Sequence, residues 1–337
     1  MPWRHRTDAD NRQTSLAFCP LKKENRFFCR QSFQVSTKTV ILIAGPTAVG
    51  KTGIGIAIAR HFGTEIISAD SRQCFKEMNI GVARPSEEEL AQVPHHFIAT
   101  HSIQEKVTAA TFEEYALLKA ASLFQHHNQV VMVGGTGLYI KAFTEGMDPV
   151  PQVPEGMHEE VVTAYHQNGL AWLQGEVEKV DPLFAQHGEM QNPQRLMRAL
   201  EVVRATGRSL ISFRTGQKKT RPFVVKRIGL ELPKEQLHQQ INLRVDKMMA
   251  AGLLEEVKGL LPFQHLNALQ TVGYKELFAH YRGEVSLQQA VDAIKQNTRH
   301  YAKRQLTWFR KDPDFHWLSP DAGAVKEFLI RDGSISR

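Results

Sequence analysis

The stretch GPTAVGKT has the residue types and the spacing of a loop that binds phosphate. It follows the pattern G-x-x-x-x-G-K-[ST], whose fixed positions are here Gly45, Gly50, Lys51 and Thr52. In such a loop the backbone N–H groups surround a phosphate, and the following helix directs its positive dipole end at the same anion. The lysine reaches the outer oxygens, and the threonine hydroxyl can ligate Mg²⁺. The predicted anion-binding residues are Gly45, Pro46, Thr47, Ala48, Val49, Gly50, Lys51 and Thr52, with Thr52 as the metal ligand.

This P-loop pattern alone does not define the reaction, because three classes of protein remain open. An NTP-dependent, nucleotide kinase-like phosphotransferase would bind ATP and transfer its phosphoryl group. A second class would bind a substrate whose leaving group is a diphosphate, and a third would be a non-catalytic RNA-binding protein. An NTPase is favoured by an apolar strand that ends in Asp. The apolar run at 129–133 ends instead in Gly134-Gly135-Thr136-Gly137.

Polar residues follow two further predicted strands and could complete a site beside this loop. The stretch SADSRQCF places Asp70, Ser71 and Gln73 after one strand, and GGTGLY places Thr136 after another. Ligands of open parallel sheets bind at the carboxyl ends of the strands, so we expect both stretches to face the phosphate loop. Asp70 could hold Mg²⁺ through water, cap a turn or act as a general base.

The elements that position these loops alternate between strand and helix. The continuous apolar run at 39–44 is typical of a strand that is buried on both faces of a parallel sheet. A helix predicted at 52–61 connects this strand to a second strand at 65–68. A further helix at 111–126 precedes a strand at 129–133, and a later strand is predicted at 224–232. This order predicts an α/β fold with a P-loop-type parallel sheet flanked by helices.

Prolines and a change of composition predict how the chain is divided. The stretch DPVPQVP interrupts the alternation, and residues 150–191 are helical in pattern without strand signals. We interpret 150–191 as a small helical insertion domain, and 38–149 with 192–318 as the catalytic core with its C-terminal helices. Residues 1–37 are predicted to be a disordered extension, and 319–337 a tail.

Composition narrows the class of protein and its surroundings. The chain has 337 residues, a formal net charge of +7 and a pI near 9.3, which is consistent with a polyanionic partner. The cysteines Cys19, Cys29 and Cys74 are too few and too scattered for a disulfide framework or a zinc site. No apolar run approaches the ~20 residues that span a bilayer. We therefore expect a cytoplasmic protein without a membrane partner, and a monomer.

Taken together, the loops resemble those of the bacterial tRNA dimethylallyltransferases, also called tRNA isopentenyltransferases. The similar stretches are GPTAVGKT, SADSRQCFKEMNIGVARP, VPHHF, GGTGLYIKAF, NPQRLMRALEVVRATG, RVDKMMAAGLLEEV, VGYKE and TRHYAKRQLTWFRK. They run in the same order from about Val40 to Phe309. The resemblance implies transfer of a dimethylallyl group from dimethylallyl diphosphate to N6 of the tRNA adenosine that is 3′-adjacent to the anticodon, at position 37. The product would be N6-(dimethylallyl)adenosine, with diphosphate released.

The resemblance also implies roles for particular residues. Asp70 would be the general base, Thr136 would contact the tRNA within the site, and Lys51 with Arg244 would stabilise the leaving diphosphate in the presence of Mg²⁺. The helical insertion and several loops would contact the anticodon stem-loop of the tRNA. The implied tRNA-binding residues are Asp70, Ser71, Arg72, Gln73, Thr136, Gln194, Arg195, Leu196, Met197, Arg198, Gly273, Tyr274 and Lys275.

Two basic stretches are candidate RNA surfaces. Ten basic residues and one acid, Glu201, lie between residues 194 and 227, and further basic residues lie near Trp308 and Phe309. Basic side chains neutralise phosphates, and aromatic rings can stack on unpaired bases. We expect Trp308 and Phe309 to be core residues. We also expect a structural or substrate-loop role, and not metal binding, for His95 and His96.

Overall fold

Six strands form one parallel sheet within residues 37–331, which are the residues that this computed structural model describes. The strands are β1 (Thr39–Ala44), β2 (Ile66–Ala69), β3 (His95–His96), β4 (Gln129–Gly134), β5 (Val224–Leu230) and β6 (Phe315–Leu318). Their order across the sheet is β3-β2-β4-β1-β5-β6, and every pairing is parallel. The predicted α/β class with a parallel sheet flanked by helices is confirmed.

Strand β1 lies at the centre of the sheet and is buried on both faces. Val40 and Leu42 contact one hydrophobic cluster, while Ile41 and Ile43 contact a second cluster on the opposite face. All four side chains are inaccessible to solvent. Burial of each such side chain stabilises the fold by about 1.5–3 kcal/mol. The strand therefore holds the following loop on a rigid support, which explains its continuous apolar sequence.

Twelve α-helices surround the sheet within the described residues. They are α1 (Lys51–Phe62), α2 (Glu87–Gln92), α3 (Ala109–Leu123), α4 (Gly137–Glu145), α5 (Glu155–Val180), α6 (Pro182–His187), α7 (Pro193–Thr206), α8 (Lys234–Ala250), α9 (Leu253–Gly259), α10 (Tyr274–Tyr281), α11 (Leu287–Phe309) and α12 (Ala322–Arg331). Short 3₁₀ helices lie at Leu210–Phe213, Leu261–Phe263 and Asn267–Leu269. None of the helices within residues 37–331 is both long and apolar enough to cross a membrane.

The helices α5, α6 and α7 form a helical unit with its own apolar core. Its buried side chains include Val161, Leu173, Phe184 and Leu200, so α7 packs against α5 instead of the sheet. The predicted end of the insertion at residue 191 is therefore wrong. The helical unit extends from α5 through Leu210, and it belongs to the same compact unit as the sheet. Asn192 begins α7 by accepting the N–H of Arg195, and Gly169 kinks α5 with a φ of 76°.

The C-terminal region contains structure that the sequence patterns did not predict. The predicted tail begins with α12, whose Val325 and Leu329 are buried in the cluster that also covers α1. Strand β6 closes one edge of the sheet by pairing with β5. The predicted disordered extension lies outside the described residues apart from Thr37, and so do residues 332–337.

Candidate active site

The phosphate loop connects the carboxyl end of β1 to the first turn of α1. Gly50 lies directly before α1 with a φ of 94°, and Ala48 has a φ of 67°, so the loop turns through two left-handed positions. No side chain caps the N-terminus of α1. Its first N–H groups and the positive end of its dipole are therefore directed at the position where an anion would bind.

Two cations converge on this loop. The Lys51 ammonium donates to the Pro46 carbonyl at 2.7 Å, and the Arg244 guanidinium of α8 donates to the Thr47 hydroxyl at 3.4 Å. Burial and, to a smaller extent, the charge of Arg244 lower the pKa of Lys51 from 10.5 to about 7, although the carboxylate of Asp70 opposes this decrease. A bound anion would favour the protonated form of Lys51, so anion binding and proton uptake are coupled.

Asp70 is held by the turn that it caps. Its Oδ1 accepts the backbone N–H of Arg72 at 2.8 Å and that of Gln73 at 3.2 Å. The predicted capping interaction is therefore present, and it fixes the carboxylate at the carboxyl end of β2. The Gln73 amide in turn donates to the Ala83 carbonyl at 2.9 Å, which anchors the loop that forms the opposite wall.

Thr136 links two loops by its hydroxyl. It accepts the backbone N–H of Ser71 at 3.0 Å and donates to the Ser71 hydroxyl at 3.3 Å. It also forms a side-chain hydrogen bond with Tyr301 of α11. Thr136 precedes α4 but does not cap it. Its hydroxyl instead joins the loop after β4 to the loop after β2.

A cavity of about 90 Å³ brings Lys51, Thr52, Asp70 and Arg244 together, whereas Thr136 is not among the residues that line it. Its charged lining consists of Lys51, Arg244 and Asp70, and Thr52 lies beside Lys51. The expectation that the phosphate loop and Asp70 share a crevice is met. The cavity is also lined by residues that the sequence did not single out, which are Tyr301, Gln305, Ile98, Val82 and Ala83.

The lining includes oxygen donors that suit Mg²⁺. The Thr52 hydroxyl and the Asp70 carboxylate both line the cavity, and magnesium prefers oxygen ligands. Within residues 37–331 no group of three or more His, Cys, Asp or Glu side chains could enclose a metal. The donor set fits an ion that takes its remaining ligands from water and from a bound diphosphate.

The histidine pair of β3 divides into two environments. The His96 ring contacts the carboxylate of Glu65 and supports the strand edge. His95 lines the cavity, its Nδ1 lies 2.7 Å from the Val93 carbonyl, and burial lowers its pKa. Because a carbonyl oxygen can only accept, Nδ1 of His95 donates this hydrogen bond.

The residues on α7 that were implied to bind tRNA separate by burial. The side chains of Leu196 and Met197 are buried in the core of the helical unit. Gln194 and Arg195 are exposed. Arg198 is partly exposed and pairs with the buried carboxylate of Glu201 at 3.3 Å.

The implied tRNA-binding residues at the start of α10 also differ in burial. Gly273 and Tyr274 are buried, and the Tyr274 hydroxyl donates to Glu256 at 2.7 Å. The same carboxylate accepts the backbone N–H groups of Ile80 at 2.7 Å and Gly81 at 3.0 Å. The Tyr274 hydroxyl therefore braces a cavity wall through Glu256, whereas Lys275 is exposed.

The basic stretch between residues 194 and 227 is largely neutralised by acids from other segments. Its ion pairs are Arg204–Glu176, Lys218–Glu145, Lys219–Glu113, Arg221–Glu113, Arg227–Asp312 and Arg227–Asp314. Near the C-terminus Phe309 is buried as predicted, but Trp308 is 40% exposed, so the prediction of a core tryptophan is wrong.

Known proteins have sequences similar to that of this chain. A family model described as IPP transferase matches residues 73–312 of the chain. A tRNA dimethylallyltransferase of Christiangramia forsetii is 48% identical over 297 residues, which cover 88% of this chain and 98% of that protein. The chain belongs to the IPP transferase family. This confirms the resemblance that the loops predicted.

Two solved structures of tRNA-modifying transferases are similar in fold to this chain. The full-length tRNA isopentenylpyrophosphate transferase from Bacillus halodurans superposes with a TM-score of 0.65 and 32% identity, covering 88% of this chain and 96% of that one. A eukaryotic dimethylallyltransferase, solved acting on tRNA, has a TM-score of 0.70 and 26% identity, covering 84% of this chain and 74% of that one.

Proposed function

We propose that this IPP transferase family member transfers a dimethylallyl group from dimethylallyl diphosphate to N6 of the adenosine 3′-adjacent to the anticodon of tRNA, at position 37. The observation that carries the proposal is the single cavity in which Lys51, Arg244 and Asp70 meet. Two cations suit a departing diphosphate, and one carboxylate suits an amine that must lose a proton. The relatives named tRNA dimethylallyltransferase support the same reaction.

The leaving group would bind in the phosphate loop. As the carbon–oxygen bond of dimethylallyl diphosphate breaks, its electron pair departs with the diphosphate. The N–H groups at the start of α1, the Lys51 ammonium and the Arg244 guanidinium are positioned to stabilise that charge. Mg²⁺ held at Thr52 would supply additional charge neutralisation for the diphosphate.

The acceptor would approach from the side of Asp70. The lone pair of the exocyclic N6 is delocalised into the adenine ring, so the amine is a poor nucleophile. The lone pair forms the new carbon–nitrogen bond while a proton passes from N6 to the Asp70 carboxylate. An adenine can enter a cavity of this kind only after leaving its stack, so the enzyme is expected to accept a flipped nucleotide.

Exposed polar side chains would hold the rest of the anticodon stem-loop. Gln194, Arg195 and Lys275 are accessible, and phosphate contacts from such residues fix the register of an RNA without reading its sequence. A cytoplasmic, monomeric enzyme is part of the same proposal.

One experiment separates this reaction from phosphoryl transfer. The protein is incubated with Mg²⁺, an anticodon stem-loop RNA, and either dimethylallyl diphosphate or ATP. The expected result is an RNA mass gain of one dimethylallyl group in the first mixture and no ATP consumption in the second. RNA-dependent ATP consumption without any prenylated product would replace the proposal with an NTP-dependent phosphotransferase.

A further inference from the structure

One face of α11 contacts three successive residues of the loop after β4. Gln305 bonds to Gly135, Tyr301 bonds to Thr136, and the indole of Trp308 lies against Gly137. The spacing of Tyr301, Gln305 and Trp308 places them on one side of a helix. We call residues 134–137 the acceptor loop. Helix α11 therefore contacts the acceptor loop as far as the start of α4.

Gln305 also reaches the phosphate loop. Its Oε1 accepts the backbone N–H of Thr47 at 2.8 Å, while its Nε2 donates to the Gly135 carbonyl at 2.9 Å. The side chain is only 6% exposed, and its bond to Gly135 is buried while its bond to Thr47 is partly buried. A buried amide with both ends bonded is a stiff link, because releasing either end leaves an unsatisfied polar group.

The absence of a side chain at Gly135 allows the Gln305 carboxamide to approach its backbone. A Cβ at Gly135 would lie 2.3 Å from Nε2 of Gln305, a separation that real side chains do not tolerate. The backbone of Gly135 has no left-handed φ, so the close approach of the carboxamide is the reason for glycine.

We propose that Gln305 is a positioning residue that fixes the gap between the phosphate loop and the acceptor loop. The inference rests on the proposed transfer reaction. The reacting carbon is attached to a diphosphate that binds in the phosphate loop. The nucleophile is placed by Asp70, which follows β2, and by Thr136 of the acceptor loop. Attack requires reacting atoms about 3–3.5 Å apart, and a misplacement of about 1 Å costs on the order of 100-fold in rate. A direct bond across the gap limits that error.

The test separates positioning from binding. Gln305→Met keeps the length of the side chain and removes both hydrogen bonds. The dissociation constants of dimethylallyl diphosphate and of stem-loop RNA are measured separately, and then the single-turnover rate with both. We expect both constants within about threefold of wild type and a rate lowered about 30- to 100-fold.

Gly135→Ala provides a second route to the same defect, because the added methyl group displaces the carboxamide. We expect a similar rate loss, and a double variant no slower than the slower single variant, since both changes remove one link. Multiplicative losses in the double variant would contradict a shared link.

Ile294→Val is the matched control, since Ile294 is a buried residue of α11 that packs in the hydrophobic core. We expect it to lower the melting temperature while its rate stays within twofold of wild type. A Gln305→Met rate equal to wild type, or a rate loss fully explained by weaker binding, would overturn the inference. A wild-type protein that transfers nothing would instead reject the proposed function.

Discussion

At the residue scale, Asp70 combines a structural and a chemical task in one carboxylate. One oxygen is engaged by the backbone N–H groups of Arg72 and Gln73, so the turn depends on an acceptor at this position. Asparagine supplies the same acceptor without a group that can take a proton at neutral pH. The two tasks can therefore be separated by substitution.

Asp70→Asn is expected to keep both substrates bound and to lose turnover. Because the cap is retained, affinities for RNA and dimethylallyl diphosphate should stay within threefold, while removal of the base lowers the rate by about 10²- to 10⁴-fold. Single-turnover assays and separate binding titrations measure this, with Glu105→Gln as a control acid outside the cavity. Near wild-type turnover in Asp70→Asn would remove Asp70 from the role of base.

The lowered pKa of Lys51 predicts proton uptake on binding of the leaving group. At pH 8 the ammonium, with a pKa of about 7, is mostly neutral in the free protein. A bound anion raises the pKa again, so pyrophosphate binding should take up close to one proton. Calorimetry in two buffers of different ionisation enthalpy at this pH measures the uptake.

Lys51→Arg is the control for this linkage, because arginine stays charged throughout. Pyrophosphate binding to the Lys51→Arg variant should take up far fewer protons than binding to wild type. An unchanged uptake in that variant would assign the proton to another group.

The sequence predicted the residues whose roles follow from local geometry, and missed those that act over long range. Lys51 and Thr52 belong to a loop whose shape is encoded within eight residues. Gln305 meets that loop only because the fold brings α11 beside β1, and a residue 258 positions away leaves no local pattern. Tyr301 was missed for the same reason.

At the element scale, α7 contributes both to a core and to a surface. Its apolar stripe faces α5, while Arg195 is exposed and has no ion-pair partner among the described residues. Arg198 differs, because it neutralises Glu201, a buried carboxylate that also contacts His158 at 2.7 Å. The resemblance implied that both arginines bind tRNA, but the sequence could not reveal this difference in partners.

Arg195→Ala should weaken RNA binding without affecting stability. Loss of one phosphate contact reduces the slope of log affinity against log salt by about 1. Anisotropy titrations at several salt concentrations measure the slope. Arg198→Ala, in contrast, leaves Glu201 with less compensation and should lower the melting temperature, so it is the comparison variant. Equal salt slopes for Arg195→Ala and wild type would exclude Arg195 from the RNA surface.

Helix α9 supports a cavity wall through Glu256. Its carboxylate accepts the N–H groups of Asn79, Ile80 and Gly81 and the Tyr274 hydroxyl. Tyr274→Phe removes one of these bonds and should cost about 1 kcal/mol in the free energy of unfolding. Glu256→Ala removes the acceptor of the buried Tyr274 hydroxyl and of three more accessible N–H groups, and should cost about 2–3 kcal/mol. Urea denaturation measures both values.

RNA affinity distinguishes this bracing role from a direct contact. Tyr274→Phe should bind stem-loop RNA as tightly as wild type, because its hydroxyl is directed at Glu256. A large loss of RNA affinity with unchanged stability would restore Tyr274 to the RNA surface.

At the scale of the whole molecule, the central strands were predictable and the edges were not. Strands β1, β2, β4 and β5 are short apolar runs followed by characteristic loops or turns, so their pattern is visible. Strand β3 has two residues and β6 has four, which is too short for a period to be read. The end of the insertion was misplaced because an apolar stripe does not reveal which neighbour will cover it.

Helix α12 lies in the region that was predicted as a tail. It packs over α1, the helix that follows the phosphate loop. Leu329 is buried in the cluster shared with α1, so Leu329→Ala should lower the free energy of unfolding by about 2–5 kcal/mol. Glu327→Ala, an exposed position on the same helix, should change it by less than about 1 kcal/mol. Urea denaturation compares the two variants. Equal stabilities would show that α12 adds nothing to the core beneath the loop, whereas the expected difference makes these residues part of the folded catalytic unit.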